Sequence, residues 1–374
     1  MINRRHFSIV AGAAAVGGFQ LARAQGETPI VLGQSAPFTG PAAQLGIQFY
    51  QGAKLFLDQY NAVPGHRDVE IKFLDDGYEP DRTVANTQKL IAEDAFALFG
   101  YIGTPTSLAA LPLAVKDRVP FIAPFTGAMA LREPFQRNVF HLRASYNDET
   151  ALIVKQLTHL GLKKIAVFYQ NDAYGKAGLD GATLALTQLG LQPAALATVE
   201  RNSVDVAAAV KTITAAKPDA VIQVSAYNSC AAFIREARKG GYGGTFYNVS
   251  FVGTQALADA LGKDGAGVVV TQVVPSPYSP ANAITREFSD AAKKSGGATK
   301  ANFSSMEGYL AAKVLTEGLR RAPGKLTRDG LIQGLESIDR QQFGGFEVSF
   351  SPKNHVASKF VELSMITGDG RIRT

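Results

Sequence analysis

Short apolar runs alternate with longer amphipathic stretches along almost the whole chain. Residues 29–33 predict a first strand, and residues 47–61 predict a helix with one apolar face. The alternation continues to a fourth strand predicted at residues 120–123, and it starts again after residue 143. Strands that alternate with helices of about 10 to 15 residues are typical of βαβ crossovers and parallel sheets.

A length of 374 residues fits two successive doubly wound α/β units better than one sheet of about ten strands. Helices and a β-rich end follow the second unit. Several helices are predicted to begin only where the apolar periodicity starts, a few residues after a strand or turn: 107–116, 148–160, 177–189 and 231–239.

The N-terminus has the features of an export signal. Arg4 and Arg5 precede a weakly apolar stretch, and Ala22-Arg23-Ala24 offers the small residues that a signal peptidase requires. We therefore predict that residues 1–24 are removed on export. The arginine pair followed by Phe7 resembles a twin-arginine signal, so we expect the twin-arginine route.

Composition and charge narrow the class of protein. Hydrophobic residues make up 46% of the chain, which is enough for a full core, but no run is suited to a polytopic membrane protein. The net charge of +6 comes partly from the predicted signal, and no basic stripe indicates nucleic-acid binding. A single cysteine, Cys230, excludes an intrachain disulfide and a cysteine-built metal site.

The sequence lacks the usual signatures of catalysis. Its five histidines form no i,i+4 pair, and there is no G-x-S-x-G elbow, no P-loop and no G-x-G-x-x-G after the first strand. We expect no cofactor and no metal. The chain is better interpreted as a binding protein than as an enzyme.

One pentapeptide occurs twice. Residues 36–40 and 123–127 both have the sequence Ala-Pro-Phe-Thr-Gly, and each directly follows a predicted strand. Because the carboxyl ends of parallel strands line the ligand crevice of an open α/β sheet, both copies are predicted to lie on the same rim. The alternative is coincidence in a chain rich in alanine, glycine and proline.

The segment 100–107 indicates an anion site. A predicted strand ends at Gly100, the hydroxyl residues Thr104 and Thr106 follow, and a helix starts within three residues. Unpaired N–H groups at a helix start, together with hydroxyls, form a neutral cradle for a carboxylate. The alternative is an ordinary helix N-cap by Thr104.

These segments form an ordered set that resembles the periplasmic leucine/isoleucine/valine-binding protein family, the type I solute-binding proteins of ABC importers. The set is 38–46, 75–76, 100–104, 123–127, 171–175 and 218–221, with Tyr227 downstream. The resemblance implies two α/β lobes joined by three crossovers. Lobe one is expected to comprise 27–142 and 274–352, and lobe two 143–273 and 353–374.

The resemblance also implies a ligand site between the lobes. The ligand carboxylate is expected to bind at segment 100–107 and at the second pentapeptide, residues 123–127. The other expected ligand-binding residues are expected to line the cleft between the lobes. The expected ligand-binding residues are Thr104, Thr106, Phe125, Thr126, Gly127, Tyr174, Tyr227, Ser250, Gln44, Leu45 and Phe303.

One departure from the family bears on the ligand. Amino-acid-binding members place an acid in lobe two to pair with the ligand ammonium, and Ser250 stands at that position here. A buried ammonium without a carboxylate partner is expensive. Either another acid serves, with Asp172 and Glu307 as candidates, or the ligand lacks an α-amine.

The implied function is that of a periplasmic protein that closes on its ligand by a hinge. The ligand is expected to be a branched-chain amino acid or a related small carboxylate, delivered to an ABC permease and its ATPase subunits. The alternatives are a ligand sensor on the same fold and a binder of amine-free hydrophobic or aromatic carboxylic acids. An enzyme is the least favoured class.

Overall fold

A computed structural model describes residues 28–374, so the predicted export signal lies outside the described residues. The helices begin and end at the following residues: α1 (Ala43–Asn61), α2 (Pro80–Ala92), α3 (Thr104–Lys116), α4 (Tyr146–His159), α5 (Ala173–Thr187), α6 (Ala207–Ala215), α7 (Tyr227–Lys239), α8 (Thr254–Leu261), α9 (Ala283–Lys294), α10 (Phe303–Arg321) and α11 (Arg328–Glu336). No helix in this part of the chain combines the length and apolar character that a membrane crossing needs.

The strands are shorter than the helices, and most belong to two sheets. Their bounds are β1 (Ile30–Ala36), β2 (Val69–Asp75), β3 (Ala97–Phe99), β4 (Phe121–Ile122), β5 (Val139–Phe140), β6 (Ile165–Gln170), β7 (Leu196–Val199), β8 (Ala220–Val224), β9 (Thr245–Asn248), β10 (Val269–Gln272), β11 (Gln341–Gln342), β12 (Glu347–Val348), β13 (Glu362–Ile366) and β14 (Ile372–Arg373). The predicted alternation of strands and helices is confirmed.

The first sheet is parallel throughout, with the strand order β2-β1-β3-β4-β5. Helix α1 packs along α10, so the late helices of the chain cover the same unit as the early ones. The two helices can approach this closely only because residue 52 of α1 is a glycine. A Cβ on Gly52 would lie 1.8 Å from the Ser305 carbonyl oxygen of α10. We call this sheet and its helices lobe one.

The second sheet has the order β14-β13-β10-β9-β8-β6-β7, and we call it, with its helices, lobe two. Its inner strand β8 is buried along its whole length, which is typical of a parallel strand covered by helices on both faces. The last two strands are antiparallel, because β13 pairs with β10 and β14 pairs with β13. The end of the chain thus returns to lobe two.

The chain passes between the two sheets at three places. The segment after β5 leads to α4 of lobe two, the segment after β10 leads to α9, and the segment after β12 leads to β13. The first and third run side by side, because the His141 amide donates to the His355 carbonyl over 2.8 Å and the Ala357 amide donates to the His141 carbonyl. The lobe boundaries at residues 143, 274 and 353 stay a prediction.

Five helices begin earlier than the apolar periodicity predicts. The observed starts lie two to four residues before the predicted ones, at Ala43, Thr104, Tyr146, Ala173 and Tyr227. Two of these helix starts have side-chain caps: Ser145 and Asp148 form a capping box on α4, and Asp172 caps α5. Polar and aromatic residues in these first turns hide the helical apolar pattern, and two of them, Tyr146 and Tyr227, lie against lobe one.

Candidate ligand-binding site

Two hydroxyls meet at the carboxyl edge of the first sheet. Thr104 is the first residue of α3 and Thr126 lies in the second pentapeptide, and their hydroxyl oxygens are 2.6 Å apart. Both side chains are buried. The N-cap of α3 is Gly103, whose φ of 101° suits glycine, so the alternative of an N-cap by Thr104 is wrong.

Thr106, in contrast, is occupied within its own helix turn. Its hydroxyl donates to the Gly103 carbonyl over 3.0 Å and also contacts the Ile102 carbonyl. This hydroxyl thus bonds back to carbonyls three and four residues earlier, as threonine hydroxyls often do in a helix. The structure therefore brings Thr104 and Thr126 together and directs Thr106 away from them.

Tyr146, the first residue of α4, adds a third hydroxyl to this pair. The side chain is fully buried, and its hydroxyl lies near Thr126 and the Gly127 amide without a hydrogen bond of normal geometry. Burial raises the pKa of Tyr146 to about 12, so the hydroxyl keeps its proton and can donate it. A Cβ on Gly127 would lie 2.6 Å from Tyr146, which is why this approach requires glycine.

Rings from both lobes surround these hydroxyls and form what we call the aromatic cluster: Tyr78, Phe125, Tyr146, Tyr174 and Phe251. Phe251 of lobe two lies at its centre, with ring centroids 5.8 Å from Phe125 and 5.9 Å from Tyr78, both of lobe one. Its centroid is 4.4 Å from that of Tyr174. Every ring of the aromatic cluster is buried, so the lobes are closed over it.

Buried charges lie beside the aromatic cluster. The Arg143 guanidinium, which stacks 3.8 Å from the Phe125 ring centroid, donates to both carboxylate oxygens of Glu307 over 2.8 and 2.7 Å. Burial acts against the charge of Arg143, but Glu307 outweighs it and raises the pKa above its usual value. Glu307, a candidate partner for a ligand ammonium, is thus already paired.

Ser250 belongs to the same network. Its hydroxyl accepts a hydrogen bond from Arg143 over 3.2 Å and donates to Glu149 over 3.0 Å, while its amide donates to Glu149 over 2.6 Å. The Thr271 hydroxyl donates to the same carboxylate. Burial raises the pKa of Glu149, although the Arg143 charge and these donors oppose the shift.

Asp172, the other candidate acid, is also occupied. It accepts from the Tyr174 amide over 2.9 Å at the start of α5, and from the Gln170 side-chain amide over 2.6 Å. Arg201 bridges Asp172 and Glu79 of lobe one, with the Glu79 oxygen 2.9 Å away. Asp172 therefore stabilises the helix start and the contact between the lobes.

The remaining predicted residues lie around the rim. Leu45 is buried and reaches lobe two, because a Cβ on Gly253 would meet its methyl group at 2.5 Å. Gln44 is exposed, with its backbone beside the Tyr227 hydroxyl. Phe303 packs edge-on against Tyr278, at a centroid distance of 5.7 Å.

Sequence reasoning missed Tyr78, Tyr146, Phe251, Arg143 and Glu149. Tyr78 follows the Asp75-Asp76 turn at the carboxyl end of β2, a position that the rule for open α/β sheets places on the ligand rim. Phe251 directly follows Ser250, so its place next to a predicted site residue was a signal that could have identified it. Glu149 had no signal, because its contact with Ser250 joins residues 101 positions apart.

The arrangement can bind a ligand with one acidic end and an apolar body. Two cavities of about 630 and 260 Å³ lie elsewhere, one along α1 and α10 and one beside His141 and His355. Among the described residues no cluster of three or more potential ligands could hold a metal ion. The hydroxyls and amides of the site are neutral donors, which suit a carboxylate.

A family model and known relatives match nearly the whole chain. The sequence model of the periplasmic binding protein family matches residues 29–370. The Leu/Ile/Val-binding protein homolog 7 of Brucella abortus is 26% identical over 390 aligned residues, which cover 97% of this chain and 95% of that protein.

Solved structures show the same fold. A possible leucine/isoleucine/valine-binding protein from Rhodopirellula baltica is 34% identical, with a TM-score of 0.87 over 91% of this chain and 96% of that one. A substrate-binding periplasmic protein from Ralstonia solanacearum is 28% identical, with a TM-score of 0.86 over 92% of this chain and 99% of that one. The predicted two-lobed α/β fold is confirmed. The chain belongs to the periplasmic binding protein family, in the leucine/isoleucine/valine-binding group with the type I fold.

Proposed function

We propose that this protein captures a small carboxylate between its lobes in the periplasm and delivers it to the permease of an ABC importer. One observation carries the proposal: neutral donors and aromatic rings from both lobes converge on one buried place. The Thr104, Thr126 and Tyr146 hydroxyls lie close together there, and the Tyr174 and Phe251 rings of lobe two pack beside them. Tyrosine offers a flat apolar face with a polar tip, which suits half-apolar ligands.

Closure explains how such a site takes up and holds its ligand. The aromatic cluster is buried in the closed form, so a ligand enters only when lobe one separates from lobe two by hinge motion. Polar contacts favour the closed form, since Asn202 of lobe two donates to Glu79 over 2.7 Å and to the Gly77 carbonyl over 3.1 Å. A transporter that recognises the closed form would accept loaded protein.

A specific observation favours an amine-free ligand over an amino acid. Glu307 is paired with Arg143, Glu149 accepts three hydrogen bonds, and Asp172 caps α5. A ligand ammonium would therefore compete with these partners for its counter-ion, and an unpaired buried charge is strongly unfavourable. The second candidate is therefore a protein for hydrophobic or aromatic carboxylic acids without an α-amine.

A binding experiment tests both candidates. The protein is unfolded and refolded to remove carried-over ligand, and its melting temperature is recorded with leucine, 4-methyl-2-oxopentanoate or benzoate. A ligand at about 100 times its dissociation constant stabilises by about 2.7 kcal/mol, which is readily seen. A response to the amine-free acids alone supports the second candidate, and a response to leucine alone contradicts it. If no small acid in a wider panel stabilises the protein, the proposed function is wrong.

Delivery to a permease needs a separate test. Deletion of the gene is expected to abolish high-affinity uptake of the bound acid, and re-expression is expected to restore it. Re-expression of a Gly127→Ala variant is the matched control for the site. Unchanged uptake in the deletion strain would contradict a transport role even if the purified protein binds the acid.

A further inference from the structure

Arg132 is a buried cation that contacts only the main chain. Its side chain is 8% exposed, and its guanidinium donates to the carbonyls of two separate segments. On one side the acceptors are Thr126, at 3.3 Å, and Ala128, at 2.9 Å. On the other side they are Arg143, at 3.1 Å, and Ala144, at 3.3 Å. The side chain therefore links the second pentapeptide to the first crossover between the lobes.

No carboxylate neutralises this cation at close range. Within residues 28–374 Arg132 forms no ion pair, in contrast to Arg143, which has Glu307. Burial and, after it, the charge of Arg143 lower the pKa of Arg132 to about 10, although Asp148 and Glu149 act in the opposite direction from a distance. Arg132 is thus charged at neutral pH, and all of its hydrogen-bond acceptors are main-chain carbonyls.

The position of Arg132 directs its field toward the hydroxyls of the site. In a trans peptide the carbonyl and the N–H point in opposite directions. Since the Thr126 carbonyl faces Arg132, the Gly127 N–H of the same peptide faces away from it, and the Tyr146 hydroxyl lies near that amide. A charge that binds the carbonyl of a peptide polarises the N–H of the same peptide, so Arg132 strengthens the Gly127 amide as a donor beside the Tyr146 hydroxyl.

We propose that Arg132 is a positioning residue that makes the site selective for an anionic carboxylate over its neutral isostere. The inference rests on the proposed function, because it concerns the acidic end of the same ligand. Arg132 does not touch the ligand. Its charge acts through the Thr126–Gly127 peptide, and its loss removes the preference for an acid while the apolar contacts remain.

The experiment compares each acid with its own primary amide. The probes are leucine, 4-methyl-2-oxopentanoate and benzoate, each beside its amide, and dissociation constants are measured by calorimetry. The variants are Arg132→Gln, which removes the charge, and Arg132→Lys, which keeps it. Arg137→Gln is the matched control, because Arg137 is an exposed arginine on the same segment, paired with Asp329. The ratio of the two constants is taken within one variant, so general damage to folding cancels.

The proposal predicts a wild-type preference for the acid of about a hundredfold, which falls by at least about tenfold in Arg132→Gln with amide binding unchanged. Arg132→Lys and Arg137→Gln are expected to keep the wild-type ratio. An unchanged ratio in Arg132→Gln, a loss of acid and amide binding together, or a loss of preference in Arg132→Lys overturns the inference and leaves the proposed function intact. If neither these three acids nor the wider panel of small acids binds the wild type, both the inference and the proposed function are overturned.

Discussion

The two copies of Ala-Pro-Phe-Thr-Gly lie at the carboxyl ends of β1 and β4 and have different surroundings. In the first copy the amides of Phe38 and Thr39 donate to the Asp75 carboxylate over 2.8 and 3.1 Å, and the Thr39 hydroxyl donates over 2.6 Å. Burial opposes ionisation of Asp75, but these donors and Arg82 outweigh it and hold its pKa well below the usual value. Thr39 and Gly40 are exposed.

The second copy has no such carboxylate. Thr126 is buried and bonded to the Thr104 hydroxyl, and a cation lies behind its carbonyl where the first copy has an anion in front of its amides. The first copy therefore binds the carboxylate of Asp75, and we propose that the second copy binds the carboxylate of the ligand. The role of such a loop therefore depends on the charged side chains that contact its amides and carbonyls, rather than on the sequence of the loop itself.

The largest expected effect comes from unpairing Arg143, which packs on Phe125 of the second copy. Glu307→Gln leaves a buried guanidinium without its partner and is expected to lower the free energy of unfolding by about 3–5 kcal/mol. Glu79→Gln is the control, since it breaks a more exposed ion pair and should cost less than about 1 kcal/mol. Urea unfolding measures both, and equal effects would contradict the assignment of Arg143 and Glu307 as a buried pair.

The next prediction concerns the pH dependence of stability, to which Asp75 and Asp76, both beside the first copy, contribute differently. Burial raises the pKa of Asp76 to about 6, so between pH 4 and 6 the native protein keeps a proton that the unfolded chain releases. The free energy of unfolding should fall as the pH rises through this window, by up to about 3 kcal/mol. Asp76→Asn is expected to remove that slope, whereas Asp75→Asn keeps it. Urea titrations at several pH values decide, and a wild-type slope in Asp76→Asn would be the contrary result.

A smaller effect compares the last glycine of each copy. Gly127→Ala drives a methyl group into Tyr146 and is expected to cost about 1–3 kcal/mol and to weaken acid binding at least tenfold. Gly40→Ala has open space but a φ of 80°, so it should cost about 1 kcal/mol and leave binding unchanged. Thermal unfolding and calorimetry measure the pair. If Gly40→Ala lost acid binding and Gly127→Ala kept it, the first copy rather than the second would be the one that binds the ligand.

The smallest effect concerns the two threonines. Thr126→Val removes the hydroxyl contact with Thr104 and is expected to destabilise by about 1 kcal/mol and to lower acid affinity. Thr39→Val removes an exposed hydrogen bond and should cost less, with no change in affinity. Parallel melting curves with and without the acid measure both quantities. Equal affinities of the two variants would show that the Thr126 hydroxyl is not part of the site.

The sequence predicted more of the fold than of the site. Apolar runs identify buried strands such as β6 and β8 because every residue of such a strand contributes to burial. The order of short motifs indicated Thr104 and Thr126, which lie together in the structure. The helix starts were predicted too late, since residues such as Tyr146 serve the cleft rather than the apolar face of their helix.

Contacts between distant segments could not be predicted from one sequence. The partner of Arg143 is 164 positions away, and nothing near Glu307 indicates the pairing. The missing acid at Ser250 was recognised, but the buried Glu149 that binds Ser250 was not. Such contacts arise from tertiary packing, and local periodicity has no information about them.

The most direct test of the account is an amide spectrum of the protein labelled with ¹⁵N-glycine. The Gly127 and Gly40 signals are assigned from the two alanine variants and followed as the tightest-binding acid is added. If the second copy binds the ligand carboxylate, the Gly127 signal should show a saturable shift and the Gly40 signal should not move. Saturable binding that leaves Gly127 unmoved would contradict the claim that the second copy receives the ligand carboxylate.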